Sequence, residues 1–351
     1  MNNKFIFDHI HNRDFKHVCL SINNDISFTN TKTFTLDDNC VKSLKTNNRP
    51  QWTVYGERYS ESKQLFDIES YNNDYIILNN VIVNPFGAIR TSKNELYVNA
   101  GCQCREPCHY NFNYDIQNVD TVISISAVWA NGIWHFPYEA LVALMSVPKD
   151  ILHKTKIHVS NISNYIIQWV KYLDIPSTQL ITGNIFAKTV YFPRMGRCGE
   201  PYYSQINWLK NIINKKIVDM PYEYIILIKR NYRRPIKNYN QIEQLLVNFC
   251  KHINLKLYIH DDNKLPPLIE QQKIFNKAKV VFAPHGAGGI HIPAMKNDSW
   301  YIEFLSIEDI NLCFTRLAYM CNINYKGISM SNLTINFMDV VNILNELKPI
   351  L

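Results

Sequence analysis

One stretch constrains this chain more than any other: Lys279 to Phe304, KVVFAPHGAGGIHIPAMKNDSWYIEF. Val280-Val281-Phe282-Ala283 is a short apolar run stopped by a proline, the pattern of a strand buried on both faces. Pro284-His285-Gly286-Ala287-Gly288-Gly289 follows, and glycines after a strand let the backbone turn tightly and come close to a ligand. Ile290 to Lys296 reads as a short helix with Pro293 in its first turn. Trp300 to Leu305 reads as a second apolar strand with one acid, Glu303, at its far end. Such an order puts free N–H groups and the positive end of a helix dipole where an anion such as phosphate binds. The glycines match neither GxGxxG nor the Gly-Lys-Ser ending of a phosphate loop. A second reading therefore stays open at this point: a tight turn, with His285 a satisfied core histidine.

The same alternation runs through most of the chain. Tyr75 to Val83 reads as a strand and Phe86 to Ala100 as a hairpin turning near Ser92-Lys93-Asn94. Val119 to Ser126 is a β-branched strand and Trp134 to Met145 a helix with Phe136 and Pro137 at its start. Strands at Lys156 to Ser160, Gln179 to Thr182 and Ile185 to Phe192 surround a helix at Asn161 to Leu173. Pro193 to Pro201, PRMGRCGEP, reads as a linker. Beyond it come strands at Tyr222 to Ile228 and Leu255 to Ile259, and a helix at Tyr239 to Ile253 with Ile242, Leu245, Leu246, Phe249 and Ile253 as one stripe. After the opening stretch follow a helix at Glu308 to Cys321, a strand at Tyr325 to Ile328 and a helix at Met338 to Leu347 capped by Asn336. Strands alternating with helices give an α/β fold with parallel sheets covered on both faces. The length, 351 residues, fits two domains, placed at 1–195 and 196–351. Residues 1–70 carry no pattern that places them.

Hydrophobic residues are 46% and charged residues 19% of the chain, as in a folded globular protein. The formal charge of +7 favours anionic ligands: nucleic acid, a nucleotide or an acidic glycan. The first residues, MNNKFIFDHIHNRDF, lead into no apolar signal core, and nowhere is there a run of about 18 apolar residues. The expected location is therefore the cytoplasm. Three of the nine cysteines cluster at Cys102, Cys104 and Cys108 without the second knuckle of a zinc site, and reduced thiols are expected in a chain of this kind.

Two more segments could carry chemistry, both just past a strand. Lys229, Arg230, Arg233, Arg234 and Lys237 make a cationic strand end, where arginine can grip phosphate through two parallel hydrogen bonds. A solvated basic loop is the other reading. In Trp129-Ala-Asn-Gly-Ile-Trp134-His135-Phe-Pro-Tyr138-Glu139, His135 and Glu139 are i and i+4 and share a helix face. That spacing suits a general base and its orienting acid, or else a capping histidine and a solvated acid.

Together these segments resemble the family 61 glycosyltransferases. The resemblance rests on strand-KR…RR-x-I-x-N, on A-x-V-V-x-x-P-H-G-A-G, on the Y-I-E-F strand and, more loosely, on W-x-x-N-G-x-W-H-F-P-Y-E, and covers roughly Val119 to Tyr325. His-Phe stands where the family has His-Trp, and Gly289 adds a glycine. The resemblance implies a GT-B architecture, two Rossmann-like domains facing across a cleft. It implies an inverting transferase that takes a nucleotide-sugar, usually a UDP-sugar, with no obligatory metal and no other cofactor, and a glycan or protein hydroxyl as acceptor. On that basis His135 is the base, oriented by Glu139. Arg230, Arg234, Asn238, His285 and the turn Gly286, Ala287 and Gly288 meet the donor diphosphate or sugar, and Glu303 the ribose hydroxyls. No D-x-D follows a strand to hold a cation; Asp261-Asp262 is a pair in a loop. Two other readings compete. One is a single-strand nucleic-acid binder using KRNYRRPIKNY, and the other a Rossmann-like protein that binds a nucleotide without catalysis.

Overall fold

The computed structural model describes residues 75–90, 112, 115–196, 199, 201–306 and 311–351, with the short strands Ile26–Phe28, Lys32–Thr33, Trp52–Val54, Glu57–Arg58, Asn72–Asn73 and Leu96–Val98. Cys102, Cys104, Cys108 and the expected turn at Ser92-Lys93-Asn94 lie outside the described residues. Two compact units divide the chain: Met1–Asp38 with Glu69–Trp208, and Asn39–Ile68 with Leu209–Leu351.

In the first unit four parallel strands stand in the order Leu180–Ile181, Lys156–His158, Ile116–Ser124, Asn184–Pro193. Tyr75–Val83 then runs antiparallel beside Asn184–Pro193, and the hairpin of Ala88–Arg90 with Leu96–Val98 continues that side. The sheet is thus mixed, with a parallel half and an antiparallel flank. Its core is Leu78, Val81, Val83, Ile89, Val122, Ile185, Val190 and Phe192. The helix expected from Asn161 begins only at Asn164, because Ser163 caps it by accepting the Ile166 N–H. It runs to Val170, buries Ile166 and Trp169, and tightens into a 3₁₀ turn, Lys171–Leu173.

The second unit follows the doubly wound plan. Its parallel strands stand in the order Lys256–Asp261, Tyr224–Lys229, Ala278–Pro284, Trp300–Ser306, Asn324–Ser331. Trp52–Val54 adds a further parallel strand beside Asn324–Ser331. Numbered along the chain, the five are in the order 2-1-3-4-5, so the winding reverses between Tyr224–Lys229 and Ala278–Pro284. Ligands of such sheets bind at that reversal, beyond the carboxyl ends of the strands. One face buries Ile225, Leu227, Val280, Phe282, Ile302 and Phe304 under the helices Tyr239–Cys250 and Phe337–Leu347. Because side chains alternate along a strand, Tyr301, Glu303 and Leu305 point to the other face. The stripe expected on the first of these helices is present up to its end at Cys250: Ile242 and Leu246 are buried and Leu245 and Phe249 pack against the same core, which Ile253 reaches from the turn beyond. Asn336 caps the second by accepting the Met338 N–H.

Candidate functional site: two histidine–glutamate pairs

The segment after Ile116–Ser124 is where the first unit departs most from its expected local structure. A regular helix was expected over Trp134 to Met145. Instead Phe136–Ala140 is a π-helical turn and Leu141–Ser146 a 3₁₀ helix. Two causes are visible. Pro137 has no N–H to give to the turn before it. The Glu139 carbonyl accepts the Gly196 N–H at 2.9 Å, a partner from beyond the helix, and the Leu141 N–H reaches back to Phe136. Single π turns of this kind recur at functional sites.

The displaced turn puts the Glu139 carboxylate inside the protein, at 3% exposure. Three donors hold it there: Trp134 Nε1 at 3.1 Å, the Gly199 backbone N–H at 3.1 Å and His135 Nδ1 at 2.9 Å. A carboxylate can only accept, so Nδ1 carries the proton and Nε2 is left as the acceptor of the neutral ring. The His135 side chain is 26% exposed, and Gly132 lies against its Cδ2 edge, where an added Cβ would come within 2.9 Å. This pair, legible from its spacing, is therefore formed. Trp134 and Gly199 as its supports were not foreseen; the only hint was a tryptophan beside the histidine, and nothing marked Gly199.

In the second unit the cationic strand end and the glycine turn meet at the reversal point. Arg230 Nη1 donates to the His285 carbonyl at 2.6 Å. Gly286 is at φ 146°, and a Cβ on it would lie 2.1 Å from Arg230 Nη1, so the guanidinium occupies the space a side chain would need. Gly289, the added glycine, is required by packing: its Cβ would strike the Phe314 ring at 2.3 Å. The helix after the turn is a 3₁₀ helix, Ala287–Ala294, starting earlier than expected, so Pro293 falls near its end and not in its first turn. Gly286, Ala287 and Gly288 are half-buried at its start. Burial, and then the neighbouring Arg234 charge, push Arg230 below the usual arginine pKa. Like charges gathered this way favour an anion between them. Arg234 itself is exposed, in the left-handed region at φ 55°.

Two residues expected at the donor have partners within the protein, and one of them lies elsewhere in its strand than expected. Asn238 gives its Nδ2 to the Ile335 carbonyl at 2.8 Å and takes the Ile335 N–H at 3.1 Å, so both ends of its amide tie the loop to the next hairpin. Glu303 is not at a strand end but in the middle of Trp300–Ser306, fully buried. One oxygen meets His285 Nδ1 at 2.6 Å and the other accepts the Tyr325 hydroxyl at 2.6 Å. Both oxygens of this buried carboxylate are thus engaged within the sheet. Tyr325 was not foreseen as part of this chain, although an acid inside an apolar strand signals a buried partner. Burial and the Glu303 charge hold the Tyr325 phenol well above its usual pKa, so it stays a donor.

The acids at the end of Lys256–Asp261 are also engaged, and Asp261 closes the strand instead of lying in the loop. Asp262 accepts the Asn231 N–H through both oxygens, at 3.0 and 3.1 Å, and Asp261 accepts Asn231 Nδ2 at 2.7 Å. Three other histidines are buried and neutral. His158 donates to the Gly183 carbonyl at 2.9 Å, and burial pulls its pKa down to about 4. Burial likewise pulls His260 down to about 4. His291, donating to Gln271 Oε1 at 2.9 Å, lies well below its usual value for the same reason.

Residues 133–302 match the model of the family described as Glycosyltransferase 61. That span takes in His135, Glu139, Arg230 and the His285 turn, and stops one residue before Glu303. No curated protein matches the chain. Among the described residues no helix is long and apolar enough to cross a membrane.

Proposed function

The matched segment is that of a family 61 glycosyltransferase, and from that premise we propose that the chain moves a sugar from a UDP-sugar to an acceptor hydroxyl with inversion at the anomeric carbon. The proposal includes a GT-B arrangement, for which two parallel-rich α/β sheets are the parts. His135 Nε2 takes the acceptor proton as the acceptor oxygen bonds to the anomeric carbon. The bond from that carbon to the diphosphate breaks on the opposite face, and its electron pair leaves with UDP. Negative charge then grows on the diphosphate, where fixed donors are worth most. Arg230, Arg234 and the amides of Ala287 and Gly288 are those donors, with His285 holding the turn beside them. Asp261 and Asp262 spend oxygens on Asn231, which supports a reading in which cationic side chains rather than a divalent metal meet the diphosphate.

The observation that carries the proposal is the buried Glu139 holding His135 Nδ1 at 2.9 Å, with Nε2 left to accept a proton. The test is a thermal-shift titration with UDP and a set of UDP-sugars, run with and without EDTA, since a ligand of the folded state raises the melting temperature. A rise that survives EDTA and shrinks in Arg230→Ala is expected. No shift with any nucleotide, or a shift abolished by EDTA, would sink the donor site as drawn.

A further inference from the structure

Beside the proposed base lies an aromatic surface that the transfer scheme leaves unused. Trp129 is 51% exposed, and its ring centre sits 6.4 Å from that of His135 with the two planes 33° apart. Ile133 and Ile162 are also exposed, and Tyr165, the second residue of the neighbouring helix, donates its hydroxyl to the Ile133 carbonyl. The platform is fixed from below. Gly132 N–H bonds to the Trp129 carbonyl at 2.8 Å and Ala130 N–H to that of Ala127 at 3.1 Å. Ala127 is in turn clamped at both its N–H and its carbonyl by the Ser160 hydroxyl, at 3.2 and 2.9 Å.

Resting on the proposed role of His135, we propose that Trp129 is the acceptor platform and that the acceptor is a saccharide whose ring lies on the indole face. An indole face is broad, apolar and electron-rich. A pyranose has flat C–H faces to lay there and hydroxyls around its rim, so a sugar seated on Trp129 brings a hydroxyl beside the imidazole without a charged contact. A serine or threonine of a peptide brings the hydroxyl on a flexible chain with no face to stack. The hydrogen-bonded backbone that carries Trp129 lowers the ordering cost of such an encounter.

The test is saturation-transfer NMR on the full chain with free disaccharides (lactose, cellobiose, maltose and chitobiose) and, as matched probes, unglycosylated serine- and threonine-containing peptides. Expected is saturation of the C–H protons of at least one sugar, lost in Trp129→Ala, kept in Trp129→Phe, with the melting temperature unmoved in both. In a transfer assay with that sugar, Trp129→Ala should raise the acceptor KM by roughly tenfold or more, the scale of a tryptophan anchor. His135→Ala should keep the sugar signal while losing transfer, so the platform and the base can fail separately. A sugar signal unchanged in Trp129→Ala, no sugar signal from the wild-type chain, or peptide contact that needs Trp129 would each overturn the proposal.

Discussion

His135–Glu139 and His285–Glu303 are the same two side chains at similar separations, 2.9 and 2.6 Å, built in opposite ways. The first is local. Four residues separate its members, and the supports of its carboxylate come from a tryptophan and a glycine amide in irregular backbone. The second is assembled across the sheet. His285 follows Ala278–Pro284, Glu303 lies in the next strand, and Tyr325 reaches Glu303 from the strand after that. Exposure follows construction: the His135 side chain is 26% exposed and that of His285 11%. A histidine with an open edge suits proton transfer to a mobile substrate. One enclosed by three strands and the Phe314 ring, 5.2 Å away, suits holding a ligand in one place.

The largest effect that could break this division is in His135→Ala. General base catalysis is worth about 10² to 10⁴ in rate, so turnover should fall by that factor while calorimetry finds UDP affinity unchanged. Glu139→Gln should lose less. Near wild-type turnover in His135→Ala with an inactive Glu139→Gln would make Glu139 the base and end the parallel between the pairs.

Stability should separate the pairs next. Glu303→Ala strands the Tyr325 hydroxyl and His285 Nδ1 in the interior, at about 1–3 kcal/mol for a buried group left unpaired. Glu139→Ala leaves a half-exposed Trp134 and His135 that can turn toward water, and should cost less. Urea unfolding of both variants checks the order; equal losses would mean the first pair is as enclosed as the second.

Gly286→Ala probes the second pair from the ligand side. Its Cβ would take the place of Arg230 Nη1, so UDP affinity should drop by about tenfold, the worth of a charged hydrogen bond. Arg234→Ala, an exposed guanidinium, should cost no more than about fivefold. The reverse ranking would move the anion site outward along the basic loop.

The smallest contrast concerns pH. His158 in the first unit, and His260 and His291 in the second, are neutral when folded, with pKa values below the ordinary 6.5. Unfolding lets each take up a proton, so their stabilisation is complete above pH 6.5 and is lost as pH falls toward their folded values. Between pH 6.5 and 5.5 that is about 1 kcal/mol per histidine. The second unit should therefore lose more than the first, read as earlier loss of amide-exchange protection; equal losses in the two units would contradict the assignment.

What the sequence disclosed follows the same divide between local and non-local. The apolar alternation located the strands, because each strand announces its own burial. His135 with Glu139 was legible because i and i+4 are neighbours on any helical turn. The π turn was not, since it depends on Gly196 capturing the Glu139 carbonyl from outside the segment. Glu303 was read as a strand-end acid for a comparable reason. It stands fourth of seven in Trp300–Ser306, and its partners His285 and Tyr325 come from the strand ends on either side, which a local reading does not see. The tie of Asn238 to Ile335 was not legible because the two are nearly a hundred positions apart.

The register of the three strands also decides how this chain can change over generations. Glu303 stands opposite Ala283 on one side and Gly327 on the other. A residue gained or lost inside Trp300–Ser306 ahead of Glu303 would turn the acid to the opposite face, into the apolar layer of Ile302 and Phe304. Past the His285 turn and its helix, the loops between the strands carry no such constraint. Lengthening or shortening them would leave His285, Glu303 and Tyr325 in contact, so relatives can be expected to drift in loop length here while their strands stay free of insertions. The four-residue spacing of the other pair has no such slack: there a single insertion between His135 and Glu139 would part the histidine from its acid.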